Sequence, residues 1–228
     1  MTTFEKSKDY FYENTDILVN KLDIRDKKLL HDVERKLTSL RLSELMSNPI
    51  LGEFDFDHLK KINYYLFQDL YPWAGEIRRS ELAKLDLFCL YDNIEYFANI
   101  IFSKLKEENY YINYPTEEKI VKIAELFGDI NGLHPFREGN GRTQREFIEN
   151  FAKINGFELD LTRIGQDEMI KASHESMNGN NDLLLKLINE NISTLSQDLQ
   201  VYNIFKYCDK KLANKLYRSL SKSNKIRR

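Results

Sequence analysis

Cysteine, glycine and proline are all scarce in this chain. It contains two cysteines, nine glycines and four prolines among 228 residues. Cys89 and Cys208 each lie in an apolar stretch without a second cysteine nearby, so we predict neither a disulfide framework nor a cysteine-ligated zinc site. The small number of chain-breaking residues favours long helices over an architecture of short strands and turns.

Long apolar runs and a strong net charge are also absent. The net charge is -2 at pH 7, which predicts no direct binding to nucleic acid. Every apolar run is far shorter than the ~20 residues that span a bilayer, and residues 1–9 are too polar for a signal peptide. We therefore predict a cytoplasmic protein without a membrane partner.

Hydrophobic periodicity predicts an all-α fold. Apolar residues recur at helical spacing in seven segments, and Asp26 is a suitable N-cap for the first of them. The predicted helices span residues 26–47, 57–71, 92–105, 116–130, 143–154, 166–176 and 182–192. Residues 76–91 lack the helical period and favour a small β-hairpin or flap. The expected architecture is a helical bundle with such a small β-hairpin flap.

The last part of the chain is amphipathic and basic. Residues 193–228 place apolar side chains at helical intervals with lysines and arginines between them. We interpret this segment as a helical extension docked on a domain formed by residues 1–192. The alternative is a basic arm that contacts a partner or nucleic acid.

The segment from His134 to Arg145 contains the residue types that phosphate chemistry needs. Gly139 and Gly141 flank Asn140 just before a predicted helix, where backbone N–H groups and the helix dipole can meet an anion. Arg142 and Arg145 are three residues apart, so both guanidinium groups are predicted on one side of the helix. Two cations at a helix N-terminus do not stabilise the helix, but they suit a polyanionic ligand.

Two further side chains of the same segment complete a candidate site. Glu138 is a hard oxygen ligand suited to Mg²⁺ on a nucleotide. Histidine has an unperturbed pKa of about 6.5, so His134 is suited to take a proton from an attacking hydroxyl group near neutral pH. Taken singly, each of these residues has a structural interpretation. In this order they favour phosphoryl or nucleotidyl transfer.

The run His134-Pro-Phe-Arg-Glu-Gly-Asn-Gly-Arg-Thr-Gln-Arg145 resembles the signature of the Fic family, HxFx(D/E)GNGRxxR, at every specified position. The resemblance extends over most of residues 10–192. It implies a Fic fold and a protein adenylyltransferase that uses ATP and Mg²⁺ to modify a Tyr, Thr or Ser hydroxyl of a target protein. Transfer of UMP, GMP or phosphocholine, and a binding module without catalysis, are the alternatives.

The resemblance also implies a role for each residue of the motif. His134 would be the catalytic base and Glu138 would position the metal. Asn140 with the backbone of Gly139 and Gly141 would contact the α-phosphate, and Arg142 and Arg145 the outer phosphates. The flap at residues 76–91 would align the target, and Lys84 has the place of a nucleotide-binding flap lysine.

Many Fic proteins are inhibited by a glutamate in a helix with the pattern [ST]xxxE[GN]. In this chain Glu13 and Glu190 precede an asparagine but lack the Ser or Thr at the required offset. We therefore hypothesise that a separate small antitoxin protein supplies the glutamate and that the chain is the toxin of a pair. Repression by a degenerate helix of the chain itself is the alternative.

Overall fold

The architecture is described from a computed structural model, which covers residues 10–83 and 87–226 and the side chains of the last helix as far as Lys222. The elements in chain order are α1 (Lys27–Ser47), α2 (Phe56–Phe67), α3 (Ile94–Glu107), α4 (Thr116–Leu133), α5 (Asn140–Ile154), β1 (Phe157–Leu159), α6 (Gln166–Met177), α7 (Asp182–Glu190), β2 (Ile192–Thr194), α8 (Gln197–Tyr207) and α9 (Lys210–Ile226). The all-α prediction is confirmed. No helix in the described ranges combines the length and hydropathy of a membrane span.

Helix α5 lies at the centre of the molecule. It packs against α2, α4, α8 and β1. Its inward face consists of Phe147, Ile148, Phe151 and Ile154, all with exposed fractions of 0%. Helix α5 begins inside the signature motif. Its packing in the core therefore fixes the position of the second half of the motif.

The paired strands lie at a different position in the chain from the hairpin expected at residues 76–91. The two-stranded antiparallel sheet is formed by β1 and β2, with Glu158 opposite Ser193. In the described parts of residues 76–91 pairing is limited to isolated bridges, Ala83 with Leu87 and Ile77 with Phe136. The second bridge attaches the flap to the motif loop.

Helix α1 does not bury all of the apolar residues that recur at helical spacing in residues 26–47, which include Leu29 and Leu40. Asp26 caps the helix as expected, because its side chain accepts from the N–H of Leu29 at 2.7 Å. Leu29 and Leu40, however, are 52% and 63% exposed. The buried positions include the polar residues Glu34 and Thr38. The face that α1 turns inward is therefore partly polar, and its polar groups need partners.

Helix α4 ends three residues later than the sequence predicts. The predicted helix ended at residue 130, before Asn131-Gly132, but α4 continues to Leu133 and His134 is its C-cap, with φ 43° and ψ 59°. Pro135 explains the position, because a proline disfavours right-handed helical backbone in the residue before it. The left-handed conformation that a glycine adopts easily is thus imposed on the histidine.

The basic C-terminal segment forms two helices instead of one. Helix α8 packs on α5, and Gln200 donates a hydrogen bond to the carbonyl of Ile154 at 3.0 Å. Helix α9 packs on α8 with Leu212, Ala213 and Leu216 buried. The division at residues 192 and 193 stays a prediction. Cys89 and Cys208 are free thiols.

Candidate active site

The loop between α4 and α5 is held by side-chain amides of two helices. Asn140 closes it from within, since its Oδ1 accepts from the N–H of Phe136 at 2.9 Å and its Nδ2 donates to the Phe136 carbonyl at 2.7 Å. Asn63 of α2 holds it from outside by donating to the Glu138 carbonyl at 3.1 Å. Because Asn140 uses its amide in this way, its contact with a ligand would come from its backbone N–H.

The N-terminus of α5 forms an anion cradle. Gly139 is the N-cap, with φ 81°. The N–H groups of the first helical residues, Asn140, Gly141 and Arg142, have no acceptor within the helix. Gly139, Gly141 and Arg142 line a cavity of about 700 Å³. Positive partial charge at a helix N-terminus therefore faces a cavity large enough for a nucleotide.

His134 lines the same cavity and has a defined orientation. Its Nδ1 lies 3.3 Å from the carbonyl of Asn131. A carbonyl only accepts, so Nδ1 carries the proton of this hydrogen bond and Nε2 of the neutral ring carries the lone pair. Phe88 stacks on the imidazole with ring centroids 3.7 Å apart and planes 11° apart. The geometry suits a general base whose ring is held from one face.

The two arginines of the motif have different surroundings, although both line the cavity. Arg142 forms an ion pair with Glu34 of α1 at 2.6 Å. Arg145 has no carboxylate within 4.0 Å in the described part of the chain, and burial lowers its pKa. A Cβ added to Gly141 would have Nη1 of Arg145 as its nearest neighbour, at 4.0 Å. Arg145 thus places beside the cradle a guanidinium that forms no ion pair within the described residues.

Glu138 has one carboxylate oxygen engaged in the loop. Its Oε1 accepts from the N–H of Gly139 at 2.8 Å and lies 3.5 Å from Nη2 of Arg142. Its side chain is 38% exposed and lines the cavity. No group of three or more His, Cys, Asp or Glu that could hold a metal occurs in the described residues. One carboxylate fits Mg²⁺ that is held mainly by phosphate oxygens and water.

Two site features were not predicted from the sequence. Arg78 is buried, and its guanidinium donates to the carbonyls of His134, Ser80 and Cys89. It therefore joins the histidine to both sides of the flap. Phe88 covers the imidazole. A fully buried arginine has no sequence signature, because its burial depends on which carbonyls surround it. Lys84, predicted to bind nucleotide, lies outside the described residues.

A titratable group beside the site gives a pH prediction. Glu149 follows Arg145 by one turn, and its Oε1 accepts from the N–H of Leu161 at 2.8 Å. Burial raises the pKa of Glu149 to about 7. Its ionised form is therefore disfavoured in the folded state more than in the unfolded state.

Glu149→Gln is expected to stabilise the protein by about 3 kcal/mol at pH 8, because the pKa of the carboxyl rises from 4.5 to about 7 on folding. Below pH ~4.5 the carboxyl is protonated in both states and the gain should vanish; it grows as pH rises toward 7, where only the unfolded state ionises freely. Urea unfolding from pH 4 to 8 measures this, with the exposed Glu107→Gln as control. A pH-independent difference would contradict the shifted pKa.

The fold and the site together define a class: helical domains in which one loop, ending in a helix N-terminus, places an anion cradle beside a histidine. The family model described as Fic/DOC family matches residues 53–152. A probable protein adenylyltransferase of Sinorhizobium fredii, y4lH, is 33% identical over 74% of this chain and 87% of its own length. The chain belongs to the Fic/DOC family, as the signature predicted.

Two further comparisons support the assignment. The protein adenylyltransferase VbhT of Bartonella schoenbuchensis is 38% identical over 88% of this chain, which spans 42% of that longer protein. The N-terminal Fic domain of a Bartonella quintana VirB-translocated Bep effector, solved with bound ADP, has a TM-score of 0.76. It is 26% identical and is matched over 83% of this chain and 96% of the domain. The prediction of the Fic fold is confirmed.

Proposed function

We propose that this protein is a protein adenylyltransferase, which transfers AMP from ATP to a Tyr, Thr or Ser hydroxyl of another protein. The observation that carries the proposal is the shared cavity: His134 and the N-terminus of α5 line one space of about 700 Å³. The names of the relatives specify the same class of enzyme. An adenine nucleotide as ligand agrees with the ADP bound to the Bartonella quintana domain.

The proposed reaction is an in-line displacement at the α-phosphorus. The target hydroxyl oxygen forms a bond to the α-phosphorus, the bond from that phosphorus to the bridging oxygen breaks, and pyrophosphate leaves. Nε2 of His134 takes the proton of the hydroxyl group as the new bond forms. The backbone N–H groups of Asn140 and Gly141 stabilise the charge that develops on the α-phosphate oxygens.

The remaining motif residues are proposed to bind the rest of the triphosphate. Arg142 and Arg145 hold the outer phosphates, since planar guanidinium groups pair well with phosphate oxygens. Glu138 holds Mg²⁺, which neutralises phosphate charge when it is bound. Lys84 is proposed to add a contact from the flap, and the flap to align the target segment by strand-like main-chain pairing.

Radiolabelled ATP tests the proposal directly. The purified chain is incubated with Mg²⁺, a host lysate and ATP labelled either on the α- or on the γ-phosphate. We expect a labelled protein with the α-label alone, and mass spectrometry of that protein identifies the modified hydroxyl. Transfer of the γ-label, or modification only with UTP, GTP or CDP-choline, would contradict AMP transfer. No modification with any donor would favour a binding module.

We also propose that the chain is the toxin of a toxin–antitoxin pair. Within the described residues no glutamate of the chain lies within ion-pair distance of Arg145, and Glu190 lies 3.8 Å from Lys186. This arrangement leaves room for a glutamate from a second protein. Purified chain should therefore be active without further change. Low activity that rises on substitution of Glu13 or Glu190 would show internal repression instead.

The place of action is proposed to be the cytoplasm. A secreted effector is the alternative, and the Bartonella quintana relative is a translocated effector according to its description. A translocation reporter fused to the chain distinguishes the two.

A further inference from the structure

Helix α1 carries a buried carboxylate that the proposed reaction does not use. The Glu34 side chain is 11% exposed. Its Oε1 accepts from Nη2 of Arg142 at 2.6 Å, and its Oε2 accepts from the hydroxyl of Tyr71. A buried carboxylate is costly unless it is paired and hydrogen-bonded, and both oxygens of Glu34 satisfy that condition.

The Arg142 side chain is held by three different groups. Besides Glu34, its Nη1 donates to Oγ1 of Thr38 at 3.1 Å. Its Cζ lies 4.7 Å from the centroid of the Phe67 ring. The same ring packs closely against Gly139, since a Cβ added to Gly139 would lie only 2.0 Å from it. We call Glu34, Thr38 and Phe67 the Arg142 holder.

The holder lies behind Arg142 and outside the ligand space. Of the described residues, Arg142 lines the cavity, whereas Glu34, Thr38 and Phe67 do not. The contacts of Arg142 with Glu34, Thr38 and Glu138 involve only Nη1 and Nη2. An arginine has five N–H groups, so the holder leaves donors for a ligand in the cavity.

We infer that Glu34 is a positioning residue for the nucleotide: together with Thr38 and Phe67 it fixes the Arg142 guanidinium at the cavity wall, where Arg142 binds the outer phosphates of ATP. The inference rests on the proposed function. Fixing a long side chain before the ligand arrives reduces the entropy lost on binding. Glu34 also offsets the positive charge of Arg142 at a helix N-terminus, which the dipole disfavours.

The opposite interpretation is that Glu34 competes with phosphate for Arg142 and thereby inhibits the enzyme. The anchoring of its second oxygen by Tyr71 and its place outside the cavity wall both favour positioning. A competitor would have to occupy the space of the phosphate it replaces.

Nucleotide binding by the full chain tests the inference. Isothermal titration compares a non-hydrolysable ATP analogue with AMP, which lacks the outer phosphates. Glu34→Ala is expected to weaken binding of the ATP analogue about tenfold, the size expected for losing a charge-assisted contact. AMP binding should stay at the wild-type level. Glu34→Gln, which keeps an oxygen acceptor, should show a smaller loss.

Helix α1 provides a matched control. Glu44 also accepts from an arginine, Arg41, at 2.9 Å and from a tyrosine hydroxyl, that of Tyr65, at 2.8 Å. These groups lie away from the cavity. Glu44→Ala should leave the affinities for both nucleotides unchanged. If Glu34→Ala does not fold, Thr38→Val removes one acceptor of Arg142, and an about threefold loss restricted to the ATP analogue is expected.

Three results would overturn the inference. In the first, Glu34→Ala binds the ATP analogue as tightly as wild type or more tightly, which is the result expected of an inhibitory glutamate. In the second, the affinities for the ATP analogue and AMP fall together in both Glu34 variants, which indicates a structural role. In the third, the wild-type chain binds neither nucleotide, which overturns the proposed function itself and is distinguishable from the other two.

Discussion

His134→Ala is expected to lower the rate constant of AMP transfer by about 10²- to 10⁴-fold, the range typical for the loss of a general base. Nε2 of the imidazole carries the lone pair because Nδ1 donates to the Asn131 carbonyl. The cradle lies at the other end of the loop and does not depend on the imidazole, so affinity for ATP should change little. Single-turnover kinetics with α-labelled ATP and titration of a non-hydrolysable analogue measure the two quantities separately.

A second histidine offers the control. His31 of α1 also lines the cavity but is not assigned a role. His31→Ala should keep the rate constant of transfer. If His134→Ala modified its target as fast as wild type, the imidazole would not be the base and the enzyme assignment would lose its chemical foundation. A His134→Ala protein with a lowered Tm and lost nucleotide binding would instead show that the histidine mainly holds the loop.

The two glycines of the motif are expected to respond oppositely in stability. Gly139→Ala should lower the free energy of unfolding by about 2–4 kcal/mol, because φ is 81° and the new Cβ would lie 2.0 Å from Phe67. Gly141 lies inside α5, where a Cβ has open space. Gly141→Ala should raise the free energy of unfolding by about 0.5 kcal/mol, since alanine favours the helix.

Both glycine variants should nevertheless bind ATP less well. In Gly139→Ala the strain displaces the cradle, whereas in Gly141→Ala a methyl group enters the space proposed for the α-phosphate. Urea unfolding and titration of the ATP analogue provide the two measurements. Wild-type stability in Gly139→Ala would contradict the loop geometry, and wild-type affinity in Gly141→Ala would contradict the cradle as the phosphate site.

The order of residues in the motif predicted the family because it encodes a local structure. A glycine before a helix, a first turn with N–H groups facing outward and an arginine one turn later are all set by neighbours in the chain. Pro135 also acts locally, by ending α4 at His134. The family and the all-α fold were therefore readable before any tertiary contact was known.

Periodicity predicted where helices occur better than which residues they bury. Leu29 and Leu40 of α1 fit the apolar stripe but are exposed, while Glu34 and Thr38 are buried. From the hydrophobic pattern alone, the polar residues Glu34 and Thr38 would be predicted to face solvent. In the structure both accept hydrogen bonds from Arg142 in the first turn of α5, a contact that the pattern along the chain does not specify.

By itself, the sequence determined the helices, the cradle and the identity of the groups that phosphate chemistry requires, since each depends on residues close together in the chain. The tertiary structure alone decided how those groups are held. Arg142 meets Glu34 across 108 positions of sequence, and Arg78 reaches the carbonyl of His134 across 56. Such contacts follow from how helices pack, and neither composition nor spacing along the chain specifies them.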